Sequence, residues 1–159
     1  MSSLQVDSIS SMGGGHVDGA GLVVQYVETS DNDVVTSIDI DSTSFVSTGI
    51  TLSFTPKFIG SKVCVEYRGS MAKVLANATL SLTLFKDGVQ AMGNYGLGFL
   101  DGRSGFDMFT PAVGQYIFTT TSLTTIAFTV YARRGTGTGD VRPVVNASSY
   151  IFSATEYAQ

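Results

Sequence analysis

The sequence predicts an all-β protein, a two-sheet jelly-roll sandwich of about eight strands with an extended N-terminal arm. Short segments repeatedly alternate apolar and polar residues, which is the period of a strand with one buried face. Turn-forming residues separate these segments, and no segment keeps helical periodicity over three turns. An immunoglobulin-like sandwich fits less well, because the chain has no Trp and a single Cys.

Residues 1–21 differ in composition from the rest of the chain, and we expect them to form the arm. They are small and polar, and the patch Gly13–Gly15 would lose much entropy in a packed element. Two interpretations stay open: a frayed terminus, or a segment that adds a strand to a neighbour's sheet edge. The second would use the apolar residues of the arm, which are Leu4, Val6, Ile9 and Met12.

The sandwich domain is predicted over residues 22–159, and its first half contains four strands. In the segment Gly49–Thr55 every second residue is apolar, and Pro56 ends the strand because it has no N–H to donate. In the segment Lys62–Arg68 the apolar residues face inward and Cys64 faces outward. The four predicted strands are Leu22–Glu28, Val34–Ile40, Gly49–Thr55 and Lys62–Arg68.

The second half continues the pattern with strands at Leu80–Leu84, Gln115–Thr121, Thr124–Arg133 and Ser149–Glu156. The pair Asp87-Gly88 predicts a type I′ hairpin turn. Three connections are less regular. Met71–Ala78 is expected to be a short helical turn or a loop, Gly93–Asp107 a long loop or a weak strand with bulges, and Gly135–Asp140 a hairpin loop.

Charge and composition argue against nucleic acid and membrane as partners. The net charge is -4 and the nine cationic residues are scattered, whereas a phosphate-binding surface needs them clustered. The sequence has neither a basic amphipathic helix nor an apolar run of about 18 residues. The first residues lack the features of a secretory signal, so we expect a product made in a cytoplasm.

The inventory of reactive side chains predicts no enzyme, no metal centre and no cofactor. The one histidine, His16, lies in the glycine-rich arm, and Cys64 on a strand face has no evident base beside it. Asp39 and Asp41 share a strand face, as paired carboxylates do in glycoside hydrolases or calcium sites. Solvated acidic turns explain them better, since the other calcium ligands are missing; occasional calcium binding is the alternative.

Several stretches resemble virion proteins of marine and freshwater phages. The leader Leu4–Ile9 resembles the N-terminal leader of tail-fibre-like proteins, and Ser42–Lys57 resembles the opening hairpin of a phage jelly-roll domain. Further matching segments are Leu84–Gly88, Thr124–Tyr131 and Ser148–Glu156. In addition, Gly114–Phe118 is similar to the G-x-Y-x-F strand of complement-C1q/TNF-type jelly rolls. The resemblance implies a trimeric, non-enzymatic head on a virion.

Two functions follow from this resemblance as hypotheses. The first is a capsid cement or decoration protein, a homotrimer whose arms grip the major capsid protein. The second is a tail-fibre or receptor-binding head, joined to a tail structural protein, that recognises a host surface glycan. Its candidate contacts are the aromatic residues Tyr95, Phe99, Phe106 and Phe109, which could instead fill the core under a long loop. A small glycan hydrolase is a distant third hypothesis.

Overall fold

The computed structural model describes residues 21–31, 40–74, 78–101, 108–136, 140–142 and 150–158. Every regular element in these ranges is a strand, which confirms the predicted all-β class. No helix in the described ranges is long and apolar enough to cross a membrane. The strands are β1 (Val23–Asp31), β2 (Val46–Phe54), β3 (Lys62–Val74), β4 (Thr79–Lys86), β5 (Val89–Gln90), β6 (Gly98–Asp101), β7 (Met108–Thr119), β8 (Ile126–Arg134), β9 (Asp140–Arg142) and β10 (Tyr150–Tyr157).

The strands form two antiparallel sheets. The first sheet has the order β1-β10-β3-β7, with β9 also paired to β3, and the second has the order β2-β8-β4-β5, with β6 also paired to β4. The chain crosses between the sheets from β1 to β2, from β2 to β3, from β3 to β4, from β6 to β7, from β7 to β8 and from β8 to β9. This alternation is jelly-roll topology, and it confirms the predicted fold.

The core lies between the inner faces of the two sheets. The alternation predicted from sequence is confirmed in β2, where Ile50, Leu52 and Phe54 are at most 4% exposed. The same holds for β3, since Val63 and Tyr67 are buried. The largest fully buried apolar side chains are Tyr67, Phe54, Phe128, Phe152, Leu80, Leu82, Leu84, Val63 and Val65.

The prediction of a helical turn or loop at Met71–Ala78 was wrong for Met71–Val74, because β3 continues without interruption to Val74; residues 75–77 lie outside the described residues. The last residues of β3 pair with β7 on one side and with β9 on the other. Two partner strands satisfy the backbone of this segment, so tertiary pairing outweighs its mixed local pattern. The same pairing corrects the predicted hairpin at Gly135–Asp140, since Asp140–Arg142 pairs with β3 in the first sheet and not with β8.

The segment Gly93–Asp107 contains one short strand, β6, which pairs with β4. The observed strand β7 begins at Met108 and ends at Thr119. It is therefore longer than the predicted strand, Gln115–Thr121. Several sequence predictions lie outside the described residues. These are the arm residues Leu4, Val6, Ile9 and Met12, the histidine His16, the aromatic Phe106, and all of the predicted strand Val34–Ile40 except its last residue.

Candidate binding cleft and oligomerisation face

Two of the four predicted contact aromatics lie together on the surface. The rings of Tyr95 and Phe99 meet edge to face, with centroids 4.7 Å apart and an angle of 63° between their planes. Tyr95 is 58% exposed and Phe99 is 45% exposed, so neither fills the core. Phe106 lies outside the described residues, and Phe109 lies in β7 with a side chain that is not among those described.

Strand alternation in β6 places Phe99 and Asp101 on the outer face of the second sheet, while Leu100 between them is buried. Phe99 stands opposite Ser81 of β4, and Ser81 stands opposite Arg133 of β8. A small residue therefore lies between two large ones in one cross-strand row. This size difference makes a depression in the sheet surface.

The depression is part of a cleft of about 330 Å³. This volume lies near the lower end of the roughly 300–1,000 Å³ typical of small-molecule sites. It suits a ligand of one or two rings. The residues that line the cleft are Thr79, Ser81, Tyr95, Phe99, Asp101, Arg133, Gly135 and Thr136.

The loop that carries Tyr95 is held in place by hydrogen bonds to β4. The Thr83 hydroxyl donates to the carbonyl oxygen of Gly93 over 2.8 Å. The Leu97 amide donates to the carbonyl oxygen of Leu82 over 3.1 Å, and the Leu97 side chain is buried. Because the loop is anchored at both ends, the aromatic wall of the cleft exists before any ligand arrives.

The opposite wall is formed where the chain leaves β8 and contacts Thr79. The Gly135 amide donates to the Thr79 carbonyl oxygen, and the Thr136 amide donates to the Thr79 hydroxyl, each over 2.8 Å. A Cβ atom added to Gly135 would lie 2.2 Å from the Thr79 Oγ1 atom. The close approach therefore requires glycine at this position.

Arg133 and Asp101 place opposite charges at the cleft. The Arg133 guanidinium lies over the Phe45 ring, with 4.5 Å between its Cζ atom and the ring centroid. This cation–π contact orients the guanidinium group. The Arg133 Nε atom is buried and has no hydrogen-bond partner in the part of the chain that the structure describes. Among the described residues that line the cleft, Arg133 is the cation and Asp101 the anion.

The sequence prediction found the aromatic residues of the cleft but missed its polar ones. Ser81, Asp101 and Arg133 come from three strands that are far apart in the chain. A weak signal was present, since Phe99 and Asp101 alternate with Gly98 and Leu100 as strand residues do. Glycines before and after this short segment make its strand alternation hard to recognise in the sequence.

A second surface, the outer face of the first sheet, exposes apolar side chains. One cross-strand row runs Tyr26–Thr155–Cys64–Ile117 over four strands. Tyr26 is 55% exposed and Ile117 is 61% exposed. Another row adds Ile151 and Val113 on either side of an arginine. Apolar residues of three strands therefore lie on this outer face, separated by Thr155, Cys64 and Arg68.

Two charged groups of this face, Arg68 and Glu66, form an ion pair. The Arg68 guanidinium donates to the Glu66 carboxylate, with 2.8 Å between Nη2 and Oε1. The Tyr26 hydroxyl donates to the Glu28 carboxylate, and this hydrogen bond raises the pKa of Tyr26. The ion pair compensates two of the charges that a covering surface would desolvate.

Cys64 lies on this outer face, as its position in the alternating strand predicted. Burial raises the pKa of the Cys64 thiol, and the nearby Glu66 carboxylate raises it further, so the thiol stays protonated at neutral pH. Within the described ranges no three His, Cys, Asp or Glu side chains are grouped to hold a metal ion. Of the two aspartates singled out from sequence, Asp41 is exposed and Asp39 lies outside the described residues.

No family model and no curated protein matches the sequence. Among solved structures, the EclA C-terminal domain, described as a sugar-binding protein, is similar with a TM-score of 0.36 and 12% identity. That similarity covers 94% of this chain and 89% of the other. A structure of infectious bursal disease virus, Gx strain, is similar with a TM-score of 0.32 and 9% identity. It covers 97% of this chain and 44% of the viral one. At these TM-scores neither similarity bears on function.

Proposed function

We propose that the chain is a non-enzymatic structural protein of a phage particle, a capsid cement or decoration protein that assembles as a homotrimer. The observation that carries the proposal is the apolar outer face of the first sheet. The core of the sandwich is complete without it, yet Tyr26, Val113 and Ile117 are each more than half exposed. A face of this kind is stabilised when a second copy covers it, because apolar area is removed from water.

In this proposal the arm over residues 1–21 binds the major capsid protein, and the sandwich holds three arms together. Linking several weak contacts in one assembly raises the overall affinity, since dissociation requires all of them to break together. The apolar residues Leu4, Val6 and Ile9 would add to a sheet edge of the capsid subunit. Each trimer would then bridge neighbouring subunits and stabilise the shell.

Deletion of residues 2–12 tests this function. We expect the truncated protein to keep its oligomeric state but to lose binding to preformed capsids that lack the native protein. Co-sedimentation with those capsids measures the binding, and light scattering after gel filtration measures the oligomeric state. The matched control is Leu123→Ser, which removes a half-exposed apolar side chain from the sandwich domain and should leave capsid binding unchanged.

If the truncated protein coats capsids as well as the full chain does, the proposed role of the arm is wrong. A full-length variant with Leu4→Ser and Val6→Ser keeps the length of the arm and removes two of its apolar side chains. It therefore separates the effect of arm length on capsid binding from the effect of arm hydrophobicity. We expect this variant to bind capsids weakly, because a strand added to a sheet edge needs pockets filled by alternate side chains.

A second candidate function is a tail-fibre or receptor-binding head that recognises a host surface glycan. The specific observation that favours it is the exposed pair Tyr95 and Phe99 beside the polar cleft. The number of copies per particle distinguishes the two candidates. A decoration protein coats the whole shell, whereas a receptor-binding head occurs only at the tail.

A further inference from the structure

We infer that the cleft lined by Tyr95, Phe99, Asp101 and Arg133 is a binding site for a neutral saccharide. This inference deepens the second candidate function by naming the site and the ligand class. It does not depend on capsid decoration, because the cleft and the apolar oligomerisation face lie on different sheets. The outer faces of two packed sheets point in opposite directions, so both surfaces can be occupied together.

The aromatic pair supplies the first part of the site. The C–H bonds on one face of a pyranose ring carry partial positive charge, and an aromatic ring face carries partial negative charge. Since Tyr95 and Phe99 meet edge to face at 63°, their rings form a corner, and the ring that contributes its edge keeps its faces outside the contact. A sugar ring fits such a corner with its apolar face against an aromatic ring.

The polar groups supply the second part. A carboxylate has about four lone-pair positions, so Asp101 can accept hydrogen bonds from sugar hydroxyls in addition to its protein contacts. The Arg133 guanidinium only donates, and Arg133 lies in β8, on the other side of β4 from Asp101 in β6. The acceptor Asp101 and the donor Arg133 thus lie on opposite sides of a small depression. They match neighbouring hydroxyl groups of a sugar, because each hydroxyl can both donate and accept a hydrogen bond.

The charge balance selects the ligand class. An anionic ligand such as a phosphate or an acidic sugar would meet the Asp101 carboxylate, and a cationic ligand would meet the Arg133 guanidinium. Among the lining residues in the described part of the chain, Asp101 and Arg133 carry one charge of each sign. A neutral polyol with one apolar face offers hydroxyls to both of these groups without bringing a further charge into the cleft. A purely apolar ligand would leave both charged groups desolvated.

Titration by ligand-observed NMR tests the site with a panel of probes. The probes are glucose, galactose, mannose, N-acetylglucosamine and their short oligosaccharides, with sialic acid and inorganic phosphate as anionic comparisons. We expect at least one neutral sugar to bind the full-length protein. The variants Phe99→Ala and Asp101→Asn should each weaken that binding by about tenfold or more.

The matched control is Phe58→Ala, since Phe58 is a phenylalanine of similar exposure, 57%, that is not a lining residue of the cleft. It should bind the sugar as the native protein does. An unchanged circular-dichroism spectrum and melting temperature establish that each variant is folded. If one of the two cleft variants does not fold, the other still tests the site. Capsid co-sedimentation of Phe99→Ala should be unchanged, which separates this site from the arm function.

Three results would overturn the inference. One is the absence of binding by every neutral saccharide of the panel at millimolar concentration. Another is binding that survives both cleft substitutions unchanged. The third is tighter binding of sialic acid or phosphate than of any neutral sugar, which would assign the cleft to anions.

Discussion

Glu156 is the one charged residue that is fully buried among the residues the structure describes. Its carboxylate accepts hydrogen bonds from the Ser61 hydroxyl over 2.5 Å, from the Lys57 and Phe58 amides over 2.9 to 3.1 Å, and from the Gln25 side chain over 2.9 Å. Burial alone would raise the pKa of Glu156, but these donors outweigh it and the pKa is lowered. The carboxylate thus ties β10 to β1 and to the connection between β2 and β3.

The substitution Glu156→Gln tests this role. We expect the free energy of unfolding at pH 7 to fall by about 2 kcal/mol or more, because hydrogen bonds to a charged acceptor are lost. Since the folded pKa is lowered, the stabilisation is present above the unfolded value, near 4.3, and disappears as the pH falls through the folded value. Urea unfolding from pH 7 to pH 3 measures both effects.

In that experiment the difference in stability between native protein and variant should shrink as the pH falls. The exposed Glu28 offers the matched control, and Glu28→Gln should change the unfolding free energy at pH 7 by less than about 1 kcal/mol. A constant difference between native protein and Glu156→Gln down to pH 3 would contradict the proposed linkage.

Sequence reasoning placed Glu156 in a strand but did not predict that it faces inward. Alternation assigns apolar residues to the core and charged residues to the surface, so a buried carboxylate breaks the rule. Its donors lie 95 to 131 residues away in the chain. The fold brings Glu156 and its donors together, and no local pattern in the sequence predicts this contact.

At the scale of elements, the hairpin between β4 and β5 shows how far local sequence determines structure. Asp87 has a φ of 49° and Gly88 a φ of 78°, as the two central residues of a type I′ turn require. The turn predicted from Asp87-Gly88 is therefore confirmed. The Asp87 carboxylate also accepts from the Ala127 amide over 2.9 Å and joins the turn to β8.

The substitution of Gly88 tests how much the turn glycine contributes to the free energy of unfolding. Gly88→Ala should destabilise the fold by about 1 kcal/mol, because a Cβ atom disfavours the left-handed conformation. For a domain of this size that corresponds to a melting temperature lower by about 2–4 °C. Thermal unfolding followed by circular dichroism measures the shift.

Gly93→Ala is the matched control for the turn substitution. Gly93 lies outside the left-handed region, and no atom lies within 4 Å of the Cβ that alanine would add. We expect its melting temperature to equal or slightly exceed that of the native protein, since alanine lowers the entropy of the unfolded chain. If both alanine variants melt alike, backbone strain at Gly88 is not the cause of the loss.

The end of β3 shows where local pattern fails. Met71–Val74 contains Ala, Lys and Val, and these residues alone do not distinguish a strand from a turn. The segment is extended because Ala72 pairs with β7 and with β9 at once. Strand preference of this kind depends on neighbouring strands more than on the residues themselves, so it becomes visible only in the whole sheet.

At the scale of the whole molecule, the sequence predicted the two-sheet sandwich because each half-buried strand carries its own alternation. It did not predict which outer faces would be functional. Ile117 and Phe99 are similar as isolated residues, being apolar and exposed. They differ only in that one lies on the first sheet and the other on the second. We propose that one side of the sandwich contacts copies of the chain and that the other binds a ligand.

The substitution Ile117→Asp tests the division between the two sides. Ile117 is 61% exposed at the end of the row that begins with Tyr26. If a second copy covers this face, the substitution buries a carboxylate without a partner, at a cost of several kcal/mol. We therefore expect the native protein to be a trimer and Ile117→Asp to be a monomer, by light scattering after gel filtration. Leu123→Asp places the same charge at a different exposed apolar residue and should remain trimeric. A native monomer, or a trimer that survives Ile117→Asp, would mean that the first sheet does not form the contact between copies.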